Sequence, residues 1–144
     1  MAVVREMSRQ EAYEFMAAGA RTGKLAVSRA DGSPHVTPVW FIVDGDDLVF
    51  TTWHESVKFT AIGRDPRVAL LVEDERPPYA FVLVSGTVSV SSGLGELVEY
   101  ATRIGGRYMG ESLAEEFGAR NGVPGEHLVR LSPSRIVARE RIAE

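Results

Sequence analysis

Apolar and polar positions alternate through much of the chain. In GKLAVS, Leu25 and Val27 alternate with Lys24, Ala26 and Ser28, the period-two pattern of a half-buried strand. Asp31-Gly32 is a tight-turn dipeptide, so the next run, Val36 to Val43, is expected to return as a hairpin. Asp44-Gly45-Asp46-Asp47 then turns the chain into a third strand, Leu48 to Thr52. Val68 to Val72 reads as a buried strand. Tyr79 to Val90 reads as a long one, with Gly86 marking a bulge or bend. HLVRL and SRIVARE, joined at Ser132-Pro133, are expected to form a last pair of strands.

The period changes in three places. Ser8 followed three residues later by Glu11 is a capping box and predicts a helix from Arg9 to Ala18. A second helix is expected from Ser56 to Ile62 or just beyond, stopped by Asp65-Pro66 because the residue before proline resists helix. Leu97, Tyr100, Ala101 and Ile104 fall at helical spacing. They predict helices over residues 94 to 118, interrupted at Gly105-Gly106, the second running from Glu111 to Phe117. Six or seven strands that mostly follow one another predict a mainly antiparallel sheet, a barrel with flanking helices. The strand–helix alternation and G-x-G-x-x-G of dinucleotide folds are both missing.

Composition narrows the setting. A length of 144 residues suits one domain over the whole chain, 1 to 144. No cysteine is present, which excludes disulfides, thiolate metal sites and cysteine nucleophiles and suits a reducing cytoplasm. Arg5, Glu6, Arg9, Glu11 and Glu14 break up the N-terminal stretch, so it does not read as a signal peptide. No run of about 18 apolar residues offers a membrane-spanning helix. A net charge of −4 argues against nucleic acid. The expected protein is cytoplasmic and directed at a small molecule.

One junction carries candidate chemistry. In TTWHESVKFTAIG, a strand ending in Thr51 and Thr52 leads to a helix with Ser56 as its N-cap and Lys58 just inside. Hydroxyls, free first-turn N–H groups and one cation make an anion cradle. Ser-x-Lys is common, however, and on pattern alone a plain cap with a solvated lysine is the simpler reading. His35, His54 and His127 have no metal-ligand spacing, no G-x-S-x-G elbow exists, and no acid–base pair stands out. No catalytic or metal-binding side chain is therefore expected, and a bound cofactor would carry any redox chemistry. Pro38-Val39-Trp40-Phe41 offers flat apolar surface next to the cradle, suited to a phosphorylated tricyclic ring. Trp40 and Phe41 could equally serve the barrel core or a dimer interface.

The ordered series DGSPHVTPVWFIVDGDDLVFTT, S-x-K, RDPRVAL and EDERPPYAFVLVSGTVSV resembles the split β-barrel flavin and deazaflavin oxidoreductases, the pyridoxamine-5′-phosphate-oxidase-like proteins. With the late IGGRYMG, it is similar to their actinobacterial branch, which uses coenzyme F420. The resemblance spans roughly Gly23 to Arg139. It implies an FMN-binding-like split barrel and a homodimer with cofactor sites at the subunit interface. Lys58 and Ser56 would hold the cofactor phosphate, with Thr51 and Thr52 nearby. Pro38, Val39 and Trp40 would lie along the ring, and Pro78, Tyr79 and Ala80 would approach from the partner chain. It implies hydride transfer from reduced F420 to an enone, quinone or tetrapyrrole. The alternatives are an FMN-dependent oxidoreductase or a non-catalytic binder of flavin, F420 or haem. Val57 stands where phosphate-oxidising members have the arginine of an Arg-Lys pair, which argues against pyridoxamine phosphate as substrate. The helix also reads Phe59-Thr60-Ala61-Ile62 where relatives often have an Asn-Leu pair. Lys24, Arg64, Arg67 and Arg130 are candidates for the acidic F420 tail.

Overall fold

In the computed structural model, which describes residues 4–143, the chain opens with β1 (Arg5–Glu6) and α1 (Arg9–Ala17). A meander follows: β2 (Gly23–Ser28), β3 (Pro34–Val39), β4 (Ile42–Asp44) and β5 (Asp47–Trp53). After α2 (Val57–Arg64) come β6 (Arg67–Asp74) and β7 (Ala80–Ser91). Then α3 (Leu94–Met109), a 3₁₀ turn at Glu111–Leu113, α4 (Ala114–Asn121) and β8 (Glu126–Glu140) complete the order. The strands form one antiparallel sheet in the order β3-β2-β6-β7-β8-β5-β4, with β1 added to β8. The architecture is mainly β, the split barrel with four flanking helices.

The alternation in β2 does what its period dictates: Leu25 and Val27 are buried while Lys24, Ala26 and Ser28 face outward. Inside the barrel Leu25, Phe41, Phe50, Leu70, Val82 and Leu131 pack with Ala12 and Met16 of α1. Burying each large side chain contributes about 1.5–3 kcal/mol. A second cluster lies on the outer face of β4, β5 and β8, where Ile42, Val49 and Leu128 meet Leu97 and Ile104 of α3. The capping box forms as expected, the Ser8 amide donating to Glu11 Oε1 at 3.0 Å and the Glu11 amide to Ser8 Oγ at 3.1 Å.

Three expectations are corrected. The run Val36–Val43 is not one strand: it breaks at Trp40-Phe41 into β3 and β4. HLVRL and SRIVARE are not a pair but one strand, β8, passing through Pro133. Opposite Ser85 and Gly86 the register slips from Arg135 to Pro133, so Ser134 is the extra residue of a bulge. Proline has no N–H to give to a ladder, and a bulge is where that costs least. Gly86 is forced by closeness there, since a Cβ would run into the Ser132 carbonyl.

Nor do Gly105 and Gly106 interrupt a helix. They lie buried inside α3, which runs on to Met109 and stops at Gly110 with φ 92°. A Cβ at Gly105 would stand 2.6 Å from Phe117 Cβ, so the glycines let α4 pack close. Gly118 meets Thr102 of α3 in the same way. We expect Gly118→Ala to overpack this contact and cost about 1–3 kcal/mol. Gly95→Ala, at an exposed helical position with open space around it, should instead stabilise by about 0.5–1 kcal/mol. Urea denaturation of the two variants would check both signs.

Candidate functional site

Because side chains alternate along β5, its last residues point to opposite faces. Thr52 is buried on the barrel side, where its Oγ1 lies 2.8 Å from Ser56 Oγ. Ser56 Oγ also accepts from the Phe59 amide at 3.1 Å, the N-cap bond that starts α2. Both hydroxyls are thus engaged with each other and with the helix. Thr51 faces outward, together with Lys58, onto a cleft of about 270 Å³. Pro38, Val39 and Trp40 at the end of β3 form another wall, and Ile104 of α3 and Asn121 of α4 complete it.

Five sequence candidates therefore meet in one place: Pro38, Val39, Trp40, Thr51 and Lys58. Ser56 lies on the other side of α2, lining a groove with Arg29 and Arg64. Pro78, Tyr79 and Ala80 are elsewhere, at a cavity of about 380 Å³ shared with Phe15, Arg21 and Glu140. Tyr79 is exposed there in the left-handed region, φ 66°. Three of the four cations named for an acidic tail are already paired: Lys24 with Glu73, Arg67 with Asp65, and Arg130 with Asp44 and Asp47.

Trp40 is neither core nor free surface. Its indole stacks flat on Tyr108, centroids 5.0 Å apart and planes within 8°, and leans on Phe117 at 5.8 Å. Phe41, by contrast, is fully buried in the barrel. Tyr108 Oη donates to the Arg21 carbonyl at 2.8 Å and accepts from the Phe41 amide at 3.2 Å. Arg107 donates to the carbonyls of Phe41 and Met16, both at 2.6 Å, and of Gly19 at 3.0 Å. The IGGRYMG segment thus sets the bend that presents Trp40 to the cleft.

Glu126 was not among the sequence candidates. It starts β8 opposite Trp53, two residues before Leu128, which pairs with Thr51. Burial pushes its carboxyl above the ordinary carboxylate range, while a hydrogen bond from Thr51 and the charge of Lys58 pull the other way. Its position at a sheet end, behind the NGVPG loop, gave no periodic signal. His127 faces the barrel side and stacks on Phe59 at 4.4 Å.

The residues fit an anionic, flat ligand. Among the described residues Lys58 forms no ion pair. The first-turn amides of Val57 and Lys58 have no acceptor within their helix. An indole braced by stacking supplies a flat wall.

A split barrel with such a cleft defines the flavin- and deazaflavin-binding class of folds. The chain belongs to the pyridoxamine 5′-phosphate oxidase family, whose model matches residues 9–139. The solved structure of the conserved hypothetical protein Rv2991 from Mycobacterium tuberculosis is 26% identical with a TM-score of 0.82, and 97% of this chain aligns with 87% of that one. An F420 reductase is 27% identical with a TM-score of 0.69, covering 86% of this chain and 94% of its own. HutZ, the haem storage protein of Vibrio cholerae, shares the fold at 16% identity and a TM-score of 0.71, over 91% of this chain and 94% of that one. No match was found among curated proteins. Among the described residues no helix is long and apolar enough to cross a membrane.

The raised Glu126 carboxyl has a sign that can be measured. The folded chain holds this proton more tightly than the unfolded chain, so ionised Glu126 destabilises the fold above its folded pKa. That cost disappears once pH falls below the unfolded value of about 4.5. Glu126→Gln should therefore be more stable than the parent at pH 7.5 and should lose this advantage at pH 4, as read from urea midpoints at the two pH values.

Proposed function

We propose that the protein is a homodimeric, cytoplasmic oxidoreductase that binds coenzyme F420 in the Lys58 cleft. The observation that carries this reading is the Lys58 ammonium at the first turn of α2, in no ion pair among the described residues, beside the wall of Pro38, Val39 and Trp40. Reduced F420, when bound, supplies a hydride to an electron-poor small molecule such as an enone, quinone or tetrapyrrole. Lys58 and the first-turn amides hold the phosphate by charge-assisted hydrogen bonds. Trp40, held against Tyr108, orients the ring and keeps water from one side of it. Likeness to an F420 reductase at 27% identity supports F420 over FMN.

The dimer is supported by what the single chain leaves open. A cleft of about 270 Å³ is smaller than the usual ligand pocket of about 300–1,000 Å³. On the outer sheet face, Leu71, Leu83 and Val137 run side by side across β6, β7 and β8, and Val36 pairs with Ala26 one row along on β3 and β2. Val36 is 59% exposed. A second copy seated on this stripe would bring its own Pro78, Tyr79 and Ala80 to complete the site.

Two measurements test the reading. Lys58→Ala should weaken binding of F420 roughly ten- to a hundredfold, the loss of one charged partner worth about 1.5–3 kcal/mol. Its folding should change by less than about 0.5 kcal/mol, since no cap or core contact is lost. Unchanged affinity for both F420 and FMN in a folded protein would end the assignment. For assembly, sedimentation should find a dimer at micromolar concentration, and Leu83→Asp, which puts a charge in an interface of about 800 Å² per partner, should yield monomers that bind cofactor poorly. A parent protein that sediments as a monomer would overturn it.

A further inference from the structure

Glu126 is oddly placed for an anion site. A carboxylate beside the cleft, next to Thr51 and Lys58 of its lining, repels the same phosphate that Lys58 attracts, and a glutamine would spare the site that conflict. Thr51, which lines the cleft, lies beside this carboxyl and favours its charged form. Its charge also offsets part of the Lys58 charge, leaving the cradle with less than a full positive unit to offer. The effect of such an arrangement depends on how much negative charge the ligand brings.

A phosphate monoester carries roughly 1.5 to 2 negative charges at pH 7, with a second pKa of about 6. A phosphodiester carries one at any ordinary pH. Repulsion from a fixed carboxylate grows in proportion to the ligand's charge. We propose that Glu126 is a charge filter that makes the Lys58 cleft select singly charged phosphodiesters, such as that of F420, over doubly charged phosphate monoesters, such as FMN. This rests on the reading that the cleft holds a cofactor phosphate, and it names the residue that chooses between the two cofactor classes.

The surroundings of Glu126 leave it the residue whose charge decides. Lys58 faces it from α2 and Thr51 from β5. In the turn between β5 and α2, the His54 amide donates to the Gly125 carbonyl at 2.8 Å, and the His54 ring pairs with Glu55 at 3.6 Å. His127, its neighbour on β8, is turned to the other face against Phe59. Arg130 faces the same side farther along β8 and is committed to Asp44 and Asp47.

The test compares ligands that differ in charge and share a ring: FMN, its monomethyl phosphodiester, and riboflavin without phosphate. Binding is read by quenching of flavin fluorescence at pH 8, in the parent and in Glu126→Gln, with F420 titrated alongside. Because free energy scales with charge, a gain of about tenfold for FMN in Glu126→Gln should accompany about threefold for the diester and no change for riboflavin. In the parent, the preference for the diester over FMN should shrink as pH falls from 8 toward 5.5. Equal gains for monoester and diester, or no gain for either, would overturn the filter while leaving the cofactor reading intact. If none of FMN, its diester and F420 binds the parent, the cofactor reading falls and the filter with it.

Discussion

The cleft exists because the chain leaves the sheet at Trp40-Phe41, and one turn of α3 makes it leave. Arg107 takes the carbonyl of Phe41 together with two from the end of α1, and Tyr108 takes the Phe41 amide. A guanidinium among carbonyls sits in a half-buried place where burial pulls its pKa below the ordinary arginine value. Hydrogen bonds to a charged group are worth about 1.5–3 kcal/mol each, enough to outweigh the ladder bonds that β3 and β4 would have made as one strand. Trp40 is then released outward and caught flat by Tyr108, while Phe41 turns inward and is buried. Two adjacent aromatics thereby serve two different compartments.

The same economy governs the hydroxyls of the β5–α2 junction. Thr52 and Ser56 build the helix start, and the helix then presents Lys58 to the cleft. Scaffold and candidate binding groups are consecutive in sequence but sit on different faces. This is what a period-two strand running into a helix makes available.

Much of this was legible in the chain. Alternation found β2, the turn at Asp44–Asp47 found β5, and the capping box and the Ser56 cap found α1 and α2 within a residue or two of their ends. Two of the misreadings share a cause. Glycine and proline were taken as breakers, whereas Gly105, Gly106 and Pro133 answer to tertiary contacts: a crossing helix and a bulge opposite Gly86. At the site, Pro38 to Trp40, Thr51 and Lys58 were visible because they lie near one another along a hairpin and its following helix. Glu126 was not, because only the pairing of β8 with β5, more than seventy residues apart in sequence, carries it to Thr51.

The length of β8 has a geometric consequence. Glu126 starts it beside the Lys58 cleft, and Glu140 ends it opposite Ala80 at the second cavity. At about 3.3 Å per residue, those ends are roughly 45 Å apart along the strand's path. The strand carries two parts of a proposed site at its two ends. A two-fold axis can bring two such parts together, by laying the far end of one strand against the near end of another. Sites made this way come in twos, and neither copy owns a whole one.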